Sequence, residues 1–427
     1  MSAHATDLLE AYRSAQTNDA TFSSARYALE GIRQRIPQAR AALLPAANIS
    51  ANKGTTQAET AFTNVPPVER RMQSWAWTLQ LTQPLIRLGS VYAYEQSKYI
   101  VEQAEAQYDQ AAQDLVLRVA QAYFGASVAQ EVIDASGFEV RALEEQLGQV
   151  TRGFKAGTHS LIDVDDTKAR LGLARSREVA AKNDLENKRA ELEKVTGQIF
   201  TKLAVLRASV VPPEPQPRDN RAWMEQARST NPLVRAQRAA LAAARTEIKR
   251  SRSEYAPTLD LVATHGNNFS SSSLTTPNEF GTRASSTQLG VQLNIPIYSG
   301  GATNAKVTES LANRNKAEAD LEAASRQAAT DAQQAFAGVI NGLAQIDALN
   351  FANESGQSSV KGNRMAFRLG VAINLDVLNS QLQLYTAKRD LSLARYDTLL
   401  QGLKLKAATG SLAEEDLIAV NEMLARD

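Results

Sequence analysis

Proline placement constrains this chain more than any other feature. All 13 prolines fall within residues 37–84 and 212–296, which leaves 85–211 and 297–427 with none. A proline inside a helix removes a hydrogen bond, clashes with the preceding turn and costs about 3 kcal/mol. Two very long helical blocks therefore alternate with two proline-bearing blocks, a pattern that directs attention to an internal duplication. Phe154-Lys-Ala-Gly157 followed by Asp163-Val164 returns as Phe367-Arg-Leu-Gly370 followed by Asp376-Val377. The same offset of 213 carries without a gap to Thr196-Gly197 and Thr409-Gly410, and it sets Thr17-Asn18 on Thr230-Asn231. Leu79-Gln-Leu-Thr-Gln-Pro84 matches Val291-Gln-Leu-Asn-Ile-Pro296, Pro45 matches Pro257 and Gly89 matches Gly301, at an offset of 212. Glycine, proline and aspartate match as well as apolar residues, so shared helical composition does not explain the repeat. The chain is read as two units, 1–213 and 214–427, too long a period for a solenoid.

Within each unit the pattern runs helix, hairpin, long helix, turn, helix. The first unit has a hairpin at about 46–84, a long helix at about 90–152 and a second at about 160–197. The second has a proline-rich linker at 212–217, a hairpin at about 257–297, helices at about 302–366 and 374–409, and a C-terminal segment. Leu115, Val119, Ala122 and Ala126 sit at helical spacing. A helix of this length makes a rod of about 95 Å and implies coiled-coil packing. Heptad series follow in Val164, Leu171, Leu185, Leu192 and Ile199, and in Val377, Leu384, Leu391 and Leu405, with Ala174, Ala181, Ala387 and Ala394 between them. Large residues alternating with alanine let two backbones approach closely. The helices alone suit a soluble coiled-coil scaffold or a periplasmic adaptor equally well.

The strands separate these readings. Leu289, Val291, Leu293, Ile295 and Ile297 alternate with polar residues and Gly290 across 286–298, and Trp75, Trp77, Leu79 and Leu81 alternate with Ala76, Thr78, Gln80 and Thr82. Segments 46–58 and 257–269 alternate more weakly. Each is long enough to cross a bilayer as a tilted strand of about 9–11 residues with one apolar face. Between them, Asn52–Glu69 and Ser270–Ser285 read as polar loops. Four strands do not close a membrane barrel, which needs at least about eight, so closure demands several chains.

The remaining signals mostly exclude. A net charge of +1 argues against nucleic acid, which requires a basic excess. With no cysteine there is no disulfide and no thiolate metal site, and His4, His159 and His265 are too far apart to form a metal cluster. No cofactor is implied. Phosphate-loop, dinucleotide-fold, nucleophile-elbow and zincin motifs are absent, so an enzyme is not expected. No apolar run reaches the length of a transmembrane helix. Met1 is followed by polar Ser2-Ala3-His4, a cytosolic start or a mature start from which a leader is missing.

The element order resembles the TolC family of bacterial outer-membrane exit ducts. Carrying the resemblance are Leu43-Leu-Pro45, Leu81-Thr-Gln-Pro84-Leu85, Ala122-Tyr-Phe124, the two Phe-x-x-Gly turns, Asn294-Ile-Pro296-Ile-Tyr-Ser-Gly-Gly301, Ala394-Arg-Tyr396 and Gly410-Ser-Leu412. It implies an α+β membrane protein, a homotrimer with a twelve-strand β-barrel in the outer membrane and an α-helical barrel in the periplasm. The trimer would meet an adaptor and an inner-membrane ABC or other transporter, and export protein or small-molecule cargo. A lipid-accepting cysteine is absent, and the general look is closer to the type I secretion branch than to the drug-efflux lipoproteins.

The resemblance places the periplasmic tip at the turns with Phe154, Gly157, His159, Phe367 and Gly370. Asp163 and Asp166 share a helix face, with Asp165 beside them, and Asp376 and Asn379 stand at the corresponding places. Spacing alone supports two readings: helix-start acids, with Ser160 as a cap, or a pore lining. The resemblance favours a pore with an acidic ring at Asp376. It also sets Phe367 and Ala372 where the family carries the Tyr and Arg that tie its entrance shut, so His159 or the first-copy acids are expected to substitute. The odd-numbered strand residues, Trp75 to Leu81 and Leu289 to Ile297, are expected to face lipid.

Overall fold

A computed structural model describes residues 6–200, 202–207, 210–273 and 280–425, apart from the side chains of Phe62 and Val65. His4 and the centre of the 270–285 segment lie outside the described residues. The described residues form α1 (Leu8–Asn18), α2 (Ala20–Arg33), α3 (Arg35–Ala41), β1 (Ala46–Phe62), β2 (Val65–Ile86), α4 (Leu88–Lys155) and α5 (Leu161–Thr196). These are followed by α6 (Asn220–Thr230), α7 (Pro232–Arg252), β3 (Thr258–Ser270), β4 (Thr282–Asn294), α8 (Ala302–Arg368), α9 (Asn374–Ala408) and α10 (Glu414–Asn421). At 68 residues, α4 is about 100 Å long. No described helix is long and apolar enough to cross a membrane.

The chain divides into two compact units that draw on both halves of the sequence. One comprises residues 1–28, 105–236 and 322–427. Its core gathers Leu8, Tyr12, Leu115, Val119, Tyr123, Phe124, Leu192, Tyr396, Leu403, Leu417 and Leu424. Tyr123 is fully buried, and its hydroxyl, 2.9 Å from both the Thr6 and Ala204 carbonyl oxygens, satisfies its polarity there. Tyr396 accepts from the Leu206 N–H and donates to Glu131, both at 2.9 Å. Burial raises the pKa of each phenol, so both stay neutral donors.

The duplication is visible in the hydrogen bonds of this unit. Asn18 Nδ2 donates to the Thr196 carbonyl at 3.0 Å, closing the end of α5. Asn231 Nδ2 donates to the Ala408 carbonyl at 2.8 Å, at the end of α9. Gly197 and Gly410 follow these ends with φ of 68° and 71°. Helices commonly stop this way, because glycine takes a left-handed conformation at little cost. The heptad reading holds for Val164, Leu171, Leu185 and Leu192, all buried, but not for Ile199. Ile199 is 76% exposed and lies past Gly197, where the helix has already ended.

The second unit, residues 29–104 and 237–321, contains an antiparallel sheet in the order β1-β2-β3-β4. Its strands correct three expectations. Asn52–Glu69 is not a loop: β1 and β2 run through it to a tight turn at Thr63-Asn64, where Asn64 has φ 70°. This stretch is polar on both faces, so no alternation marked it as strand. Pro66 and Pro67 are tolerated because the first residues of β2 pair with β1 alone, leaving the other edge open. In the second hairpin, Thr282–Ser285 likewise belongs to β4 rather than to a loop. Ile295 and Ile297 lie beyond the end of β4 at Asn294, since Pro296 has no N–H with which to continue a ladder.

Candidate functional site

Two turns of the helical unit carry most of the residues singled out above. At the end of α4, Thr158 N–H donates to the Gly153 carbonyl and Gly157 N–H to the Phe154 carbonyl, at 2.9 and 3.0 Å. At the end of α8, Val371 N–H donates to the Ala366 carbonyl and Gly370 N–H to the Phe367 carbonyl, at 3.0 and 3.1 Å. Gly157 and Gly370 both have φ 74°, with nothing within 4 Å of where a Cβ would stand. Backbone angle rather than space requires glycine at both positions.

The following helix starts differ. Ser160 Oγ accepts from the Asp163 N–H at 3.2 Å while Asp163 Oδ2 accepts from the Ser160 N–H at 3.0 Å, a reciprocal capping box. Asp376 Oδ2 accepts from the Ile373 N–H at 3.3 Å, and isoleucine returns no bond. Asp165 pairs loosely with Lys168 at 3.5 Å, Asp166 is exposed, and Asn379 Oδ1 accepts from Arg170 at 2.8 Å. His159 stacks on Phe367 with ring centroids 5.0 Å apart and planes 11° apart. A Cβ on Gly153 would lie 1.8 Å from the His159 ring, so the missing side chain makes room for it.

A buried polar knot joins the two turns within the chain, and sequence reasoning missed it. Asn374, 1% exposed, donates to Thr167 Oγ1 at 2.9 Å and accepts from Gln146 Nε2 at 2.7 Å. It also reaches the Asp163 carbonyl at 3.3 Å. Leu161 occupies the equivalent place in the first copy, so this apolar-to-polar change was the available signal. A second missed cluster surrounds Glu139, whose carboxylate meets Arg177 at 2.6 Å beneath Tyr385. Burial pushes its pKa up against the pull of Arg177.

In the sheet unit, the register decides which residues share a face. Trp77 pairs with Ala51 and Asn267, Leu79 with Ile49 and His265, Leu81 with Ala47 and Ala263. Ala263, Leu261 and Leu259 pair in turn with Leu289, Val291 and Leu293. Directly paired residues point to one side of a sheet, so Trp75, Trp77, Leu79, Leu81, Leu289, Val291 and Leu293 stand on a single face with Ile49, Leu259, Leu261 and Phe269. The other face carries Asn48, Ser50, Thr78, Gln80, Thr264, Asn268, Gln288 and Gln292. Leu79, Leu81, Leu289, Val291 and Leu293 are exposed to solvent in the single chain. His265 and Asn267 break the apolar face on β3; His265 bonds Thr287 Oγ1 at 2.8 Å and meets the edge of Trp77.

A single-layer sheet with one apolar and one polar face, in a chain dominated by paired helices of this length, defines a class of helical ducts with membrane-crossing strands. The chain belongs to the outer membrane efflux protein family, whose model matches residues 11–198 and 223–411. It is 30% identical to the alkaline protease secretion protein AprF of Pseudomonas aeruginosa, over 97% of this chain and 86% of AprF. It is also 30% identical to the outer membrane protein TolC of Vibrio cholerae, over 98% of this chain and 93% of that protein. Its fold matches the Campylobacter jejuni CmeC outer membrane channel with a TM-score of 0.80 at 17% identity, covering 97% of this chain and 89% of CmeC. The protein is thus an exit duct of the bacterial outer membrane, extending into the periplasm and serving type I secretion or efflux. The family is one of transport channels working with adaptors and transporters, not an enzyme class. This displaces the soluble-scaffold reading.

Proposed function

We propose that three copies of the chain close their sheets into one twelve-strand barrel and export a secreted protein, a protease being the favoured cargo. The observation that carries the reading is the four-stranded sheet with an apolar face and two unpaired edges, β1 and β4. Lipid does not satisfy a free edge, so strands in a bilayer pair around a closed ring. From Leu259 to Phe269 the apolar face spans ten residue steps, about 33 Å along the strand and about 25 Å across a bilayer at barrel tilt. The cargo follows the relatives: AprF, and the proteases secretion protein PrtF of Dickeya chrysanthemi, 29% identical over 98% of this chain.

On this reading the duplicated halves 1–213 and 214–427 contribute equivalent strand and helix pairs, and the turns at Gly157 and Gly370 form the periplasmic tip. An adaptor and an inner-membrane ABC transporter meet the trimer there. Asp376 from each chain forms an acidic ring, with Asp163, Asp165, Asp166 and Asn379 nearby, that attracts cations. His159 stacked on Phe367 holds the two turns together. Mass measurement and cross-linking of the detergent-extracted protein test the assembly. A trimer is expected, and a stable monomer refutes it.

A further inference from the structure

One rung of the sheet ladder closes the apolar face at its loop end. Lys53 pairs with Trp75, Trp75 with Phe269, and Phe269 with Arg283, so four same-face residues cross all four strands in the order cation, aromatic, aromatic, cation. Trp75 and Phe269 stack at 6.1 Å, and the Arg283 guanidinium lies 5.8 Å from the Phe269 ring centre. Toward the helices the β1 and β2 part of the face is apolar, through Ala51, Trp77, Ile49 and Leu79, while Asn267, His265, Ser285 and Thr287 stand on β3 and β4 before the apolar Ala263 and Leu289. Away from the helices the next pair is polar, Thr55 with Gln73. Aromatic residues with an apolar body and a polar edge settle at the headgroup level of a membrane. The rung therefore marks that boundary, and both of its cations stand on the outward face.

Among the described residues neither cation has an anionic partner. Lys53 and Arg283 are exposed and make no ion pair with a described residue. The nearest acids on this face among the described strand residues, Glu59 and Glu69, are three same-face rungs farther out and face one another. Lys53 on β1 and Arg283 on β4 stand about 14 Å apart across the sheet, so each offers a cation to a separate oxyanion whose apolar remainder lies along the aromatic residues between them. We infer that the Lys53–Trp75–Phe269–Arg283 rung binds the phosphate groups of lipids in the leaflet on the loop side, anchoring the barrel's depth and orientation in the membrane. The inference rests on the apolar face being the lipid-facing one.

The test uses the full chain, reconstituted into phosphatidylcholine vesicles that contain a minor fraction of lipid A carrying its phosphates or of the same lipid dephosphorylated. Lipid A retained per chain after detergent extraction is the readout, alongside quenching of tryptophan by brominated acyl chains. Each cation near an anionic headgroup is expected to contribute about fivefold in binding. Wild type then retains the phosphorylated form in clear excess, and added salt reduces that excess. Lys53→Gln/Arg283→Gln abolishes the preference with quenching unchanged, while Lys53→Arg keeps it. Equal retention of both lipids by wild type, or an undiminished preference in the double variant, overturns the inference. If brominated chains fail to quench Trp75 and Trp77, the lipid-facing reading itself fails, and the inference with it.

Discussion

The turn at 153–160 and the turn at 366–373 share one backbone and little else. Their hydrogen bonds match residue for residue at an offset of 213, and Gly157 and Gly370 have the same φ. The side chains diverge. The first turn caps its own helix through Ser160 and Asp163, whereas the second offers Ile373 and places Asn374 where the first has Leu161. Duplicated backbone is thus kept by glycine while the side chains on it specialise. One copy stabilises its own helix start. The other supplies the buried link that holds both together.

The largest expected break in this comparison is at Asn374. Asn374→Leu restores the first-copy residue but leaves the Gln146 amide buried without its partner and removes one of the two hydrogen bonds of Thr167, each lost bond costing about 1–3 kcal/mol. A loss of about 3 kcal/mol is expected, read as a lower thermal midpoint and faster hydrogen exchange in α5 and α9. Adding Gln146→Leu should recover part of it, because paired apolar replacement removes the stranded amide. The mirror change Leu161→Asn, at an exposed site, should alter stability by less than about 0.5 kcal/mol.

The helix break farther up each copy sharpens the contrast with pH. Asp19 opens α2 by accepting from the Phe22 N–H at 2.6 Å and pairs with Arg118 at 2.9 and 3.0 Å. Its counterpart in the second copy is Pro232, with Asn231 as the cap. Burial pushes the Asp19 carboxyl up, but Arg118 and the helix N–H groups together outweigh burial and hold its pKa low. A lowered folded-state pKa gives stability that is present above the ordinary Asp range and lost as pH falls through the folded value. Acidification below that range should therefore loosen the start of α2 and spare α7, as read by pH-resolved hydrogen exchange. Asp19→Asn should remove the difference at a cost of about 2 kcal/mol at neutral pH.

Much of this architecture was legible in the sequence, and the failures have physical reasons. Proline-free stretches and glycine stops announced the helices because both act locally, through a missing donor and a positive φ. Alternation located Trp75 to Leu81 and Leu289 to Leu293, since one apolar face imposes a period of two. It overshot to Ile295 and Ile297 because apolar alternation continues past Pro296 while hydrogen bonding does not. It missed residues 52–69 because a strand with water-compatible residues on both faces has no period to detect. Asn374 was missed for another reason: the change from Leu161 marks the position, but the role of a single buried amide depends on partners from two distant helices. A substitution at the glycines is the direct check on the local part. Gly157→Ala and Gly370→Ala should each cost about 1–2 kcal/mol, and equally, since the angle is shared and the space is open.

The smallest effect on stability falls on the acids, and it separates a cap from a pore lining. Asp163→Asn breaks half of a reciprocal box, and about 1 kcal/mol is expected. Asp376→Asn removes the charge from one long bond to the Ile373 N–H at an exposed site, so its cost should be smaller still. Ion selectivity should rank them the other way. In the proposed trimer, three copies of Asp376 ring one narrow axis, where their concentrated negative charge favours cations. Asp163 is already engaged with its own helix start. Reversal potentials across a planar bilayer under a salt gradient should show reduced cation selectivity in Asp376→Asn, a smaller change in Asp163→Asn, and a further drop when Asp376 and Asp166 are neutralised together. An unchanged reversal potential in Asp376→Asn would make both acids helix caps and leave the two turns alike in function as well as in backbone.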